Sequence, residues 1–241
     1  MNPQSEFLNE KSVLSIEELV AWKKDENIYR TNYIPKTAIL CAGFPRNKFK
    51  TKLKHKLLYG VKGLHSISKN KKYIVSSNFG DGAPELISIC EELRCLGVEN
   101  FIFIGVAGII SNIVSEGECV LIEKAFSGIG LTSYYSNNIE FDLNQKDRLN
   151  INFSDYKKAF CFSTDAPFRE TNSLLNYYRD KKVDLIDMEC AGLAAFCEFH
   201  SLNLSCFLFG ADKLTTDWHP PKNFNQIIKK QKGLIKQLVN S

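Results

Sequence analysis

Several absences narrow the reading of this 241-residue chain before any motif does. It has eight cysteines, Cys41, Cys90, Cys95, Cys119, Cys161, Cys190, Cys197 and Cys206, but no C-x-x-C pair. That spacing is what zinc sites and thiol redox motifs use, so its lack argues against both. Most of the cysteines sit inside apolar runs, the pattern of buried free thiols in a reducing compartment rather than of a disulfide framework. No apolar run is long enough to cross a bilayer. The opening stretch MNPQSEFLNEKS is polar and has no signal-peptide core. The expectation is a cytoplasmic protein without membrane contact. There is no internal repeat and no linker that would divide the main body. A strong charge imbalance is also missing, since the net charge is only +4. Much of the basic excess lies in Lys48–Lys56 and Lys69–Lys72, with no aromatic interleaving beyond Phe49. Such runs read as solvated faces, and no nucleic-acid partner is expected.

What is present fits an ordered α/β protein. Hydrophobic residues make up 44% of the chain, enough for a sizeable core at this length. Residues 1–30 read as an arm and a short helix, and residues 31–241 as one domain. Ser15 and Glu18 fit a capping box before an amphipathic turn or two. Thr37–Ala42 reads as the first strand, followed by a turn from Gly43 and a Lys-rich helix to about Leu58. Val61–Ser68 and Lys72–Ser77 suggest a strand pair. The stretch from Asn78 to Glu85 carries two glycines and Pro84, which fits a first helical turn, and a helix runs on to Leu96. Asn100–Ile104 reads as a strand ending in a turn at Gly105–Gly108, with backbone open to a ligand. Strands are expected at Gly117–Ala125 and Ala159–Ser163, loop and a short helix between 136 and 157, a helix ending at Lys182, and an amphipathic helix at Phe224–Val239.

The centre of interest is Val183–Leu214. Its apolar runs and helical spacing predict strand, helix, strand, a βαβ unit. Asp187 and Glu189 fall where the first strand meets the helix, and Asp212 where the second strand ends. Ligands in open α/β sheets bind beyond the carboxyl ends of strands, so the three acids are expected to face one pocket. Taken singly, each has a plainer reading. An acid before a helix is most often a cap or a dipole partner, and an acid after a strand is a turn residue.

Seven stretches, in order, change the balance: Gly43–Arg46, Gly80–Pro84, Gly105–Gly108, Thr132–Tyr135, Thr164–Thr171, Asp187–Ala191 and Ala211–Leu214, with Trp218 beyond. Together they resemble the superfamily of purine and uridine phosphorylases and methylthioadenosine/S-adenosylhomocysteine nucleosidases. The resemblance implies a single-domain α/β fold, with a central mixed sheet flanked by helices. It also implies cleavage of the bond between a base and ribose C1′, with no metal and no cofactor beyond phosphate as a possible co-substrate. Glu189 matches the acid that grips the ribose, Met188 the methionine against the sugar, and Asp187 an acidic position of variable role. Asp212 matches the acid that meets a purine at N7, which makes the expected ligand a small-molecule purine nucleoside. Phe168 falls where a ring stacks on the base, the alternative being a core phenylalanine, and Ala107 and Gly108 would offer backbone contacts to the base. Gly43, Arg46, Gly82, Gly105 and Val106 would surround the phosphate or water. A homo-oligomer, dimer or hexamer, is expected.

The departures bear on mechanism. Phe103 stands where the phosphorylases carry a strand arginine, and Val106 where they carry a hydroxyl. The first turn lacks its aspartate, and Arg46 arrives one residue early. A desolvated phosphate needs paired charge, which Arg46, Lys48 or Arg169 would have to supply. His65 lies loosely where a neighbouring subunit lends a basic residue, and otherwise reads as a surface histidine. The reading is phosphorolysis at a rearranged phosphate site, with hydrolysis and nucleoside binding without catalysis as the alternatives.

Overall fold

The computed structural model describes residues 7–8, 10–29, 33–43, 56–58, 60–143 and 153–240. The first half contains α1 (Ile16–Asp25), β1 (Thr37–Cys41), β2 (Lys56–Leu58), β3 (Leu64–Ile67), β4 (Tyr73–Ser77), α2 (Ala83–Cys95) and β5 (Asn100–Ile109). The second contains β6 (Cys119–Gly128), β7 (Glu140–Asp142), β8 (Lys157–Thr164), α3 (Asn172–Asp180), β9 (Leu185–Asp187), α4 (Cys190–Phe199), β10 (Asn203–Leu214), β11 (Trp218–His219) and α5 (Phe224–Asn240). The strands form one mixed sheet in the order β11-β10-β6-β8-β9-β5-β1-β4-β3-β2. Because β10 pairs with β5 as well as with β6, the strands from β10 round to β5 close into a barrel. Closure leaves those strands no free edge.

The central strands are apolar throughout because both faces are covered. Along β1, Ala38 and Leu40 point into the core beneath α2 and α4. Ile39 and Cys41 point into the opposite core beneath α5. Phe101 and Phe103 of β5 alternate in the same way with Ile102 and Ile104. α5 buries Ile227, Ile228, Gln231, Leu234, Ile235, Leu238 and Val239, one stripe at helical spacing. α4 is buried at every position from Cys190 to Cys197, as befits a helix enclosed by the sheet and α2. All eight cysteines are free, and six are buried.

Most elements match the sequence reading, and four differ. The expected turn at Gly105–Gly108 is continuous strand, because β5 runs on to Ile109 and pairs with β10 there. Residues 56–58 are strand rather than the end of a helix, while the rest of the Lys-rich segment lies outside the described residues. β7 adds a short strand where only loop and a short helix are expected. The strand-helix-strand unit is present as β9, α4 and β10, but it is not a parallel βαβ. β9 runs antiparallel to β5 while β10 runs parallel to it, so the two strands oppose each other on either side of β5.

α1 docks on α2. Lys23 Nζ lies 2.6 Å from Glu92 Oε1 and donates to the Gly60 carbonyl at 2.8 Å. Tyr29 also donates to Glu92. His65 is buried rather than on the surface. Its Nε2–H donates to the Lys62 carbonyl at 2.6 Å, which leaves Nδ1 to accept from Ser76 at 2.9 Å. Burial lowers its pKa, so it stays a neutral packing residue.

Candidate active site

The second half of β5 is held between two strand ends. Gly108 pairs with Ile186 of β9, and Ala107 pairs with Gly210 of β10. A Cβ on Gly108 would press on Leu214 Cδ1 and lie 3.0 Å from Ile186 Cγ2, so the glycine gives these two side chains of the flanking strands room to pack against β5. A register shift between Gly210 and Lys213 bulges β10 at this point, and bulges re-aim side chains. The result is that β9, β10 and β5 all border one cleft of about 670 Å³. The acids thus converge at strand carboxyl ends, as expected, but those of a closed sheet in which β9 and β10 oppose each other rather than of an open parallel one.

Asp187, Met188 and Glu189 line this cleft, as do Asp212, Phe168, Ala107, Gly108, Gly43 and Val106. Gly82 and Gly105 do not. A Cβ on Gly105 would meet Phe103 at 2.9 Å and Leu208 at 3.0 Å, so this glycine makes room in the core. Arg46 lies outside the described residues.

Asp187 is committed to the protein. Its Oδ1 accepts from the Ser163 hydroxyl at 2.5 Å and from the Cys161 thiol at 3.2 Å, and its Oδ2 accepts from the Cys190 N–H at 2.9 Å. Ser163 in turn accepts from the Ala191 N–H at 2.9 Å. This set caps the start of α4, the plainer of the two readings for Asp187. Cys161, Asp187 and Cys190 form a tight buried group. Burial pushes the Cys161 thiol up to about 12 and the Cys190 thiol well above its ordinary range, so both remain protonated donors.

Glu189 is placed differently. It sits at the N-cap of α4, yet its side chain does not cap the helix. Oε1 accepts from the Gly82 N–H at 2.8 Å and Oε2 from the Met188 N–H at 3.2 Å. The Met188 carbonyl accepts from the Ala83 N–H at 3.0 Å, which ties the start of α2 to the same two residues. Gly82 makes this clamp possible, because its φ of 85° and ψ of 163° belong to a region open only to glycine. Burial, then the charge of Asp187, pushes the Glu189 carboxyl up to about 8, against the lowering effect of the two amides.

Asp212 Oδ2 accepts from the Trp218 indole N–H at 2.8 Å. The tight hairpin of β10 and β11 brings them together by pairing Leu214 with Trp218. Arg179 of α3 braces the hairpin, donating to the carbonyls of Ile110 at 2.7 Å, Leu214 at 2.5 Å and Thr215 at 3.2 Å. Phe168 is 99% exposed, so it is not a core phenylalanine. It borders the cleft on a short turn, Pro167–Arg169.

Two lining carboxylates escape the sequence reading. Asp81 is exposed beside Gly82, and its charge reaches Glu189. Glu170 follows the Phe168 turn, and burial together with the charge of Asp212 pushes it up to about 7. Both lie within stretches that resemble the superfamily, but nothing in local periodicity marks them. Asp81, Glu170, Asp187, Glu189 and Asp212 thus all border the cleft, and no lysine, arginine or histidine does among the described residues.

This geometry agrees with what known proteins show. The family model described as the phosphorylase superfamily matches residues 47–240, and the chain belongs to that superfamily. A protein of Acanthamoeba polyphaga mimivirus, described as uncharacterized, is 27% identical over 209 residues, covering 78% of this chain and 80% of that protein. Among solved structures, purine nucleoside phosphorylase from Toxoplasma gondii, in complex with immucillin-H, is similar with a TM-score of 0.62 at 16% identity. That match covers 86% of this chain and 89% of the other. Uridine phosphorylase from Vibrio fischeri gives 0.61 at 21% identity, covering 85% and 87%. A mutant of Helicobacter pylori MTAN with 5′-methylthioadenosine in its active site gives 0.61 at 15% identity, covering 86% and 98%. These likenesses establish the fold.

Proposed function

We propose that the protein cleaves the N-glycosidic bond of a purine nucleoside and that water is the nucleophile. The observation that carries this reading is the make-up of the cleft, bordered by five acidic side chains, of which Glu189 and Glu170 are pushed up to about 8 and about 7, and by no cationic side chain among the described residues. The bond breaks through a ribose with oxocarbenium character, and fixed negative charge stabilises developing positive charge. A phosphate dianion has the opposite requirement. Of the residues expected to surround it, Gly43 and Val106 line the cleft, with Val106 Cγ2 only 3.0 Å from where a Gly43 Cβ would stand. Phe103, in place of the strand arginine, is wholly buried. An apolar, anionic surround disfavours a desolvated phosphate.

In this reading Glu189, once ionised, accepts hydrogen bonds from the ribose hydroxyls, and Met188 packs beneath the sugar. Asp212, oriented by Trp218, meets the base at N7, which is the basis for preferring a purine. Phe168 covers the base. Asp81 takes the proton of the attacking water as its oxygen bonds to C1′ and the bond from C1′ to the base breaks. Asp187 acts at one remove, fixing the turn that presents Glu189. The same proposal includes a homo-oligomer, supported by the exposure of Phe168 and Trp218 at the cleft. Phosphorolysis keeps one specific support: Arg46 and Lys48 follow Gly43 closely in the sequence.

The test is product analysis on a panel of purine and pyrimidine nucleosides, with and without phosphate. Hydrolysis predicts free base and free ribose at a rate independent of phosphate, with purines preferred. Ribose 1-phosphate formed only in its presence would replace water by phosphate. Tight binding without any release would leave a nucleoside-binding protein.

A further inference from the structure

Two carboxyls bordering the cleft have no hydrogen-bond partner among the described residues, and of these Asp81 is exposed to water while Glu170 is half buried. Asp187 is held by Ser163, Cys161 and the Cys190 amide, Glu189 by two backbone amides, and Asp212 by the Trp218 indole. Glu170 lines the same cleft, half buried, with no hydrogen bond or ion pair among the described residues. It follows the Pro167–Arg169 turn that carries Phe168, and it lies close enough to Asp212 to feel its charge. It therefore sits at the end of the cleft assigned to the base. A half-buried carboxyl loses water without gaining a partner, an unfavourable state unless a ligand completes it.

We infer that Glu170 is the proton donor to the departing base, working as a pair with Asp212, an inference that rests on the hydrolytic reading of this cleft. The division of labour follows from the partners. Asp212 already accepts a hydrogen bond from the Trp218 N–H, whereas no donor reaches Glu170 among the described residues. Glu170 has nothing that favours ionisation, and two neighbouring carboxyls in a shared site tend to hold one proton between them. Burial and the Asp212 charge bring Glu170 to about 7, where a group is protonated often enough to donate and acidic enough to do so readily. As the bond from C1′ to the base nitrogen breaks, its electron pair passes into the base. The Glu170 O–H proton moves to a ring nitrogen, leaving a carboxylate that solvent reprotonates after the base departs.

The experiment compares wild type with Glu170→Gln, which keeps the shape and removes the proton. One substrate is a purine nucleoside, adenosine or inosine. The other is 4-nitrophenyl β-ribofuranoside, whose leaving group departs without protonation. The variant should lose roughly 10²-fold in kcat on the purine nucleosides and keep kcat on the nitrophenyl riboside within about twofold, since that step needs no acid. Unchanged purine turnover would overturn the assignment. So would an equal loss on both substrates, which marks a structural role. A wild-type protein inactive on every nucleoside overturns the reading of the cleft itself. An active wild type with an unimpaired Glu170→Gln overturns the role of Glu170 alone.

Discussion

Glu189 is pulled two ways. The Gly82 and Met188 amides favour its carboxylate, while burial and the Asp187 charge oppose it and prevail. Its pKa rises from an ordinary 4.5 to about 8 in the folded protein. Between those values the native state holds a proton that the unfolded chain has released. The stability contributed by that proton is complete below pH 4.5 and is lost as pH rises towards 8. Glu170 adds to the loss in the same direction up to about 7. Urea midpoints measured across this window should fall with pH in wild type and fall less steeply in Glu189→Gln. Equal slopes would show that Glu189 is not held protonated in the folded state. At this scale the sequence is a mixed guide. Glu189 and Asp212 are legible because they sit in motifs. Asp187 is legible as a cap, the plainer of its two readings, but its tether to Ser163 and Cys161, far from it in the chain, is not. Glu170 and Asp81 also lie within superfamily-like stretches but carry no periodic signal of their own, and the closing of the cleft is what picks them out. His65 looks like a surface residue because its partners, Ser76 and the Lys62 carbonyl, meet it only after β3 and β4 pair.

The hairpin of β10 and β11 is the element on which the base end depends. It carries both Asp212 and the Trp218 that orients it, and it is braced by a single cation, Arg179, through three carbonyl groups. Hydrogen bonds from a charged donor contribute about 1.5–3 kcal/mol each when well formed. Arg179 is only partly buried, so water replaces part of this bonding and Arg179→Met should destabilise the fold by a few kcal/mol rather than by the full sum. Because Arg179 does not line the cleft, its effect on purine turnover should act through Asp212. The expectation is a fall in kcat on purine nucleosides larger than any rise in KM, with little change on 4-nitrophenyl β-ribofuranoside. A parallel loss on both substrates would mean that the hairpin does no more than hold the fold. Elements with a strong period, such as α2, α5 and β1, are legible in the sequence. The relation between β9 and β10 is not. A strand-helix-strand pattern reads as a parallel pair by default, and the antiparallel insertion of β5 between them is decided by pairings between distant segments.

Across the whole molecule, closure of β5, β10, β6, β8 and β9 into a barrel turns scattered motifs into one cavity. The α/β class follows from alternating patterns of period 2 and 3.6 and the mixed sheet is implied by the resemblance to the superfamily, but barrel closure leaves no such trace. The balance of charge is equally non-local. The chain as a whole is basic at +4, yet its cleft is bordered by acids alone among the described charged residues. That contrast is the support for proposing hydrolysis. The central claim is that Glu189 and Asp212 grip opposite ends of one purine nucleoside. The most direct measurement is a crystal structure with an uncleavable purine C-nucleoside such as formycin A. The account predicts the ribose hydroxyls on the Glu189 carboxylate and the five-membered ring of the base facing Asp212 and Glu170. An analogue bound outside the cleft, or with sugar and base exchanged between the two ends, would contradict it.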